Sequence, residues 1–141
     1  MKNIDLFNLG VASVFGKCYE SFPVPIELYS GIIALEVERK HTENPFANID
    51  GHGEQQHIAE CTIQWLLDTG YIKGVKKEGF AVFQNVVLTP MGLAALNRMP
   101  SSLSGNTIGD QLADFSGECS KSVVMDLVKD VIAEGIRLIA G

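Results

Sequence analysis

The sequence predicts an α+β domain, in which helices pack on a two-stranded β-hairpin and an amphipathic helix is added at the C-terminal side. Three observations carry that expectation. Apolar residues recur at helical spacing from Glu54 to Thr69, and the run stops at Gly70, where a left-handed residue would close a helix. Two β-patterned runs follow, Tyr71–Lys76 and Phe80–Leu88, separated by the turn Lys77-Glu78-Gly79. Thr89-Pro90 then opens another helix, with a hydroxyl at the N-cap and proline at the first helical position.

The chain has 141 residues, 46% of them apolar and 20% charged, which suits a single globular core rather than a disordered segment. Its net charge of −6 is spread along the chain and gives no reason to expect general affinity for phosphate backbones or anionic membranes. Cys18, Cys61 and Cys119 are far apart and contain no CxxC pair. They fit free thiols in a reducing cytoplasm better than a disulfide framework or a Cys-rich zinc site. Leu6 to Gly16 has the length of a signal-peptide core, but Asp5 and Asn8 interrupt it and no small-x-small cleavage site follows. No apolar run approaches the ~18 residues of a membrane span, so no membrane partner is expected.

Taken in order, Leu6, Phe7, Val11, Val14, Phe15 and Cys18 give helical spacing from Asn3 to Tyr19, with Asn3 as N-cap and Asp5 in the first turn. Gly10 and Gly16 each weaken that helix by about 1 kcal/mol relative to alanine, so packing must hold it. Phe22-Pro23-Val24-Pro25 ends it in extended backbone. Ile26 to Lys40 reads as one helix, with a buried strand as the alternative for its short apolar block. His41 to Gly53 is loop chemistry. In the second β run Phe80, Val82, Val86 and Leu88 share one face, expected to meet the helices. Phe83 and Val87 fall on the other face and would need a second cover. Pro100 ends the Thr89 helix, 101–106 reads as a linker, and Thr107 to Phe115 as a short helix. From Glu118 to Ala140 apolar residues line one side, with Asp126, Lys129, Asp130, Glu134 and Arg137 opposite.

The middle of the chain resembles a winged-helix domain over about residues 54–99. The resemblance is carried by Ala59 to Ile72, similar to a third helix ending in "x-x-G-[FY]-[IL]", and by Val87 to Leu96, similar to the "LTxxGxxxL" exit from the wing in many bacterial regulators. It implies a winged-helix-like domain over residues 1–100, with residues 107–141 as a helical element for oligomerisation or docking, in a protein of bacterial or phage type. In a DNA-binding member the exposed face of helix 54–69 would enter the major groove and the 73–80 wing would touch phosphate. Gln55, Gln56 and Gln64 could then read base edges, while Lys73, Lys76 and Lys77 would hold phosphates. Helix 54–69 nevertheless contains Glu54, Glu60 and Asp68 and no Lys or Arg, which is unfavourable for DNA.

His52, His57 and Cys61 form H-x4-H-x3-C, with the last two on one helix face, but no fourth ligand lies at matching spacing and no metal is assigned. No Gly-rich phosphate loop, dinucleotide fingerprint or nucleophile elbow appears, so neither an enzyme nor a cofactor is expected. The C-terminal stripe Val124, Leu127, Val128, Val131, Ile132, Ile136 and Ile139 exceeds what a lone appended helix would bury on a small core. The expectation is therefore a non-enzymatic cytoplasmic interaction module that self-associates through this helix. The alternative is a dimeric DNA-binding regulator.

Overall fold

The computed structural model describes residues 2–49, 53–79, 81–98, 106–115, 117 and 120–140. Among them are six helices and a three-stranded antiparallel sheet. The elements run α1 (Asn3–Ser21), β1 (Ile26–Tyr29), α2 (Ser30–Thr42), α3 (Glu54–Thr69), β2 (Ile72–Lys76), β3 (Val82–Leu88), α4 (Pro90–Leu96), α5 (Ile108–Ala113) and α6 (Lys121–Ala140). The chain is thus α+β, with one strand more than the sequence suggested. Residues 26–29 are extended and pair with β3, whereas periodicity had placed them at the start of a helix. The preceding prolines favour that extended entry, and four residues are too few to leave a periodic signal.

Helix α1 lies at the centre. Leu9, Val11, Ala12, Val14, Phe15 and Cys18 have no exposure, and together these positions point all round the helix axis. Neighbours therefore surround it: α2, α3, α5, α6 and the sheet all touch it. Two glycines set the closest approaches. A Cβ on Gly10 would press on the Thr62 methyl of α3, and one on Gly16 would overlap the Leu112 carbonyl of α5. The Ser13 hydroxyl and the Lys17 ammonium both donate to the Glu36 carboxylate, at 2.7 and 2.8 Å, and so tie α1 to α2.

Strand β3 is the middle strand, in the order β1-β3-β2. On both sides, two residues of the neighbour span three of β3. Ile26 and Leu28 face Val86 and Phe83, and Lys73 and Val75 face Val87 and Gln84. The extra residue lies around Asn85, which adopts φ 56°, a conformation asparagine tolerates better than most residues. This bulge breaks strict alternation. Phe83 and Val86 both enter the core, so Phe83 needs no second cover, contrary to the sequence reading. Gly74 stands opposite, where a Cβ would meet a Val86 methyl at 2.9 Å.

Helix ends follow local chemistry. Gly70 closes α3 with φ 89°, and the Thr89 hydroxyl accepts from the Gly92 amide at 3.1 Å. Thr107 and Asp110 form a capping box on α5. The expected linker lies largely outside the described residues. Its ends are joined, since the Ile108 amide donates to the Arg98 carbonyl at 2.9 Å.

Residues 107–140 are not a separate appended element. Ile108, Leu112, Val124, Val128 and Val131 belong to the same core cluster as Phe15 and Leu66. Tyr71 joins the two parts. Its ring stacks on Trp65, its hydroxyl donates to the Ile132 carbonyl at 2.7 Å, and Gly135 leaves room for the ring. Arg98 donates to Glu134 at 3.2 Å, securing α6 beyond α4.

Gly16 offers a discriminating substitution. Helix propensity alone predicts that Gly16→Ala gains about 1 kcal/mol, whereas the α1–α5 contact predicts a net loss of about 1–3 kcal/mol through overpacking. The urea midpoint should fall. A rise would place the two helices further apart than described.

Candidate interaction surfaces

Helix α3 turns Ala59, Thr62, Ile63 and Leu66 inward and leaves Glu54, His57, Cys61 and Asp68 exposed, with Gln64 half-exposed among them. Steps of three and four put these five on one outward row. Of the three glutamines expected to read bases, only Gln64 lies on that row, and its amide donates to Asp68 at 2.9 Å. Gln55 lines a small hollow with Leu6, Gly10 and Ala34, and Gln56 lies beside Gly31 of α2. Both therefore face neighbouring helices.

The hairpin lysines do not form one strip either. Lys73 and Lys76 are three apart on β2 and so point to opposite sides of the sheet. Lys73 lies over the outer face, whereas the Lys76 ammonium reaches back to the Glu60 carboxylate at 3.0 Å. Lys77 is exposed in the turn. The outward face of α3 therefore stays acidic, and one wing cation is used in pairing with it.

The C-terminal stripe divides into two parts. Val124, Leu127, Val128 and Val131 are buried in the chain's own core, which corrects their assignment as partner-facing residues. They cover the side of α1 that the sheet and α3 leave open. Ile132 is half-buried. Beyond Gly135 the helix leaves the core, with Ile136, Leu138 and Ile139 exposed by 55, 41 and 66%. Arg137 and Arg98 flank Glu134; the hydrogen bond from Arg137 is the main influence holding its carboxyl below the usual range.

A shallow apolar groove of about 730 Å³ lies on the outer sheet face between Pro23, Pro25, Val75, Val87 and Leu93, with Lys73 at its edge. Val87, expected to need a cover, is buried here.

Two thiols differ sharply. Cys18 is enclosed by the core, and burial pushes its pKa up to about 12, slightly opposed by Lys17. Cys61 is exposed, with its Sγ 3.8 Å from His57 Nε2, while His57 Nδ1 faces Glu60 at 4.0 Å. His52 and Cys119 lie outside the described residues. Among the described residues no three His, Cys, Asp or Glu side chains gather to hold a metal, and no helix is long and apolar enough to cross a membrane. Sequence reasoning did not anticipate the Glu60–Lys76 pair or the hub at Tyr71. Both depend on how β2 is laid against α3 and α6, which local spacing does not specify. Compared with family models, curated proteins and solved structures, the chain matches none.

The Cys18 thiol carries a pH signature. Below pH 9 folded and unfolded chains both hold the proton, and its contribution to stability is complete. Between pH 9 and about 12 only the unfolded chain releases it, so stability is lost as pH rises, by up to about 1.4 kcal/mol per unit. The Tyr71 hydroxyl, also raised by burial, adds a loss of the same sign. Denaturant titrations at pH 8 and pH 10 should show a smaller decline for Cys18→Ala than for the wild type; equal declines would place the thiol in contact with solvent.

Proposed function

We propose that the chain is a non-enzymatic, cytoplasmic winged-helix protein that works as a self-associating interaction module, with the outer end of α6 as the contact between copies. The order α1-β1-α2-α3-β2-β3 and the sheet order β1-β3-β2 support the winged-helix reading, with β2–β3 as the wing. The observation that carries self-association is the continuation of the α6 stripe past the core. Ile132 packs partly against the chain, and Ile136 and Ile139 prolong the same row into solvent. Covering side chains of this size is favourable by about 1.5–3 kcal/mol each, partly offset by the entropy of association. A second copy supplies an identical row, as a two-fold contact requires.

Light scattering across a concentration series should find dimers for the wild type. The double substitution Ile136→Asp, Ile139→Asp should give folded monomers whose melting temperature no longer depends on protein concentration, because both positions lie outside the core. A wild type that stays monomeric throughout would end this reading.

DNA binding is the second reading, favoured by Gln64 on the outward row and by Lys76 and Lys77 at the hairpin. The acidic row opposes it. A gel-shift with mixed duplex fragments at low salt should show no complex. A shift abolished by Lys76→Glu with Lys77→Glu would instead establish the regulator.

A further inference from the structure

We infer that His57 and Cys61 form half of a tetrahedral site for a zinc-type divalent cation, completed by the same pair from a second copy of the chain. The two residues are one helical turn apart on an exposed row, with Sγ and Nε2 3.8 Å from each other. Metal bonds of about 2.3 Å to sulfur and 2.0–2.1 Å to nitrogen, at a tetrahedral angle, put the two donors roughly 3.6 Å apart. The pair is thus close to its ligating geometry without any backbone movement.

The surroundings suit the role. His57 turns its other ring nitrogen toward Glu60, and Lys76 holds Glu60 in place at 3.0 Å. At 4.0 Å the carboxylate is not hydrogen-bonded to Nδ1, but its negative charge on that side of the ring favours the proton there, which leaves Nε2 free to bind a cation. The imidazole is mostly exposed, with 73% of its side chain open, so a cation can reach it and a second molecule can approach. One thiolate and one imidazole favour zinc over magnesium or calcium.

Coordination number calls for the second copy. The described residues of one chain bring no third ligand to this pair. Glu54 and Asp68 lie on the same row, but each is seven residues from Cys61, about 10 Å along the helix. Two facing pairs supply a Cys2His2 set. Each thiol loses its proton to solvent on binding, so two thiolates neutralise the dication. Without the cation, two acidic α3 rows repel each other, and pairing through this face becomes metal-dependent. This contact is distinct from the one proposed for α6 and does not rest on it.

The test uses the reduced, metal-stripped full-length chain, titrated with zinc and, as a spectroscopic probe, cobalt(II). Light scattering runs in parallel on the wild type and on the Ile136→Asp, Ile139→Asp variant, which separates metal-linked association from association through α6. The expected result is one cation per two chains, thiolate-to-cobalt charge transfer with the intense visible bands of tetrahedral cobalt, and dimers of the α6 variant that a chelator reverses. Cys61→Ser and His57→Ala should abolish all three, and Glu60→Gln should weaken zinc about 10-fold. Cys119→Ser and His52→Ala should change nothing. Three results would overturn the inference: no metal-linked association, one cation per chain with the weak spectrum of octahedral cobalt, or loss of binding on removing His52 or Cys119.

Discussion

Leu9, Val11, Ala12, Val14 and Phe15 sit at zero exposure on consecutive turns of α1, so side chains pointing in every direction from that helix are covered. A helix without a wet face must be enclosed, and the remaining elements are placed to enclose it. The sheet and α3 cover part of its circumference; α2, α5 and α6 cover the rest. The glycines at 10 and 16 carry little helix propensity but let α3 and α5 come closer than any side chain would allow. The C-terminal third of the chain is therefore structural before it is anything else.

That division determines which apolar surface remains for other molecules. On α6, helical periodicity produces one continuous stripe, but its inner positions meet α1 and Tyr71 while its outer positions, Ile136, Leu138 and Ile139, are exposed among the described residues. The switch occurs at Gly135, where the Tyr71 ring occupies the space a side chain would need. Acidity acts similarly on α3. The row that would have to approach phosphate carries Glu54 and Asp68, and the nearby wing lysine is paired with Glu60. Such a face attracts cations rather than nucleic acid.

Much of the fold was legible where local chemistry decides. Gly70 and Thr89-Pro90 mark helix ends through local capping chemistry, and α3 and α6 are long enough for period 3.6 to stand out. Strand β1 was not legible, because its four residues merge with the apolar block of α2. The bulge at Asn85 was hidden for a different reason: asparagine in a strand has no unique meaning until two neighbours are seen to skip a residue opposite it. For the candidate surfaces, the apolar stripe of α6 and the acidic residues of α3 are visible in the sequence as patterns. The sequence could not divide the stripe into covered and uncovered halves, nor set Gln55 and Gln56 beside neighbouring helices, since both depend on which helix lies alongside.

The claim that α1 is enclosed by one cooperative core, α6 included, is most directly tested by native-state hydrogen exchange resolved along the chain. Amides of α1 and those of residues 124–135 should exchange together, at the free energy of global unfolding, while residues 137–140 exchange far faster. If residues 121–135 exchanged as an independent unit of low stability while α1 stayed protected, α6 would be an accessory helix and the enclosure described here would be wrong.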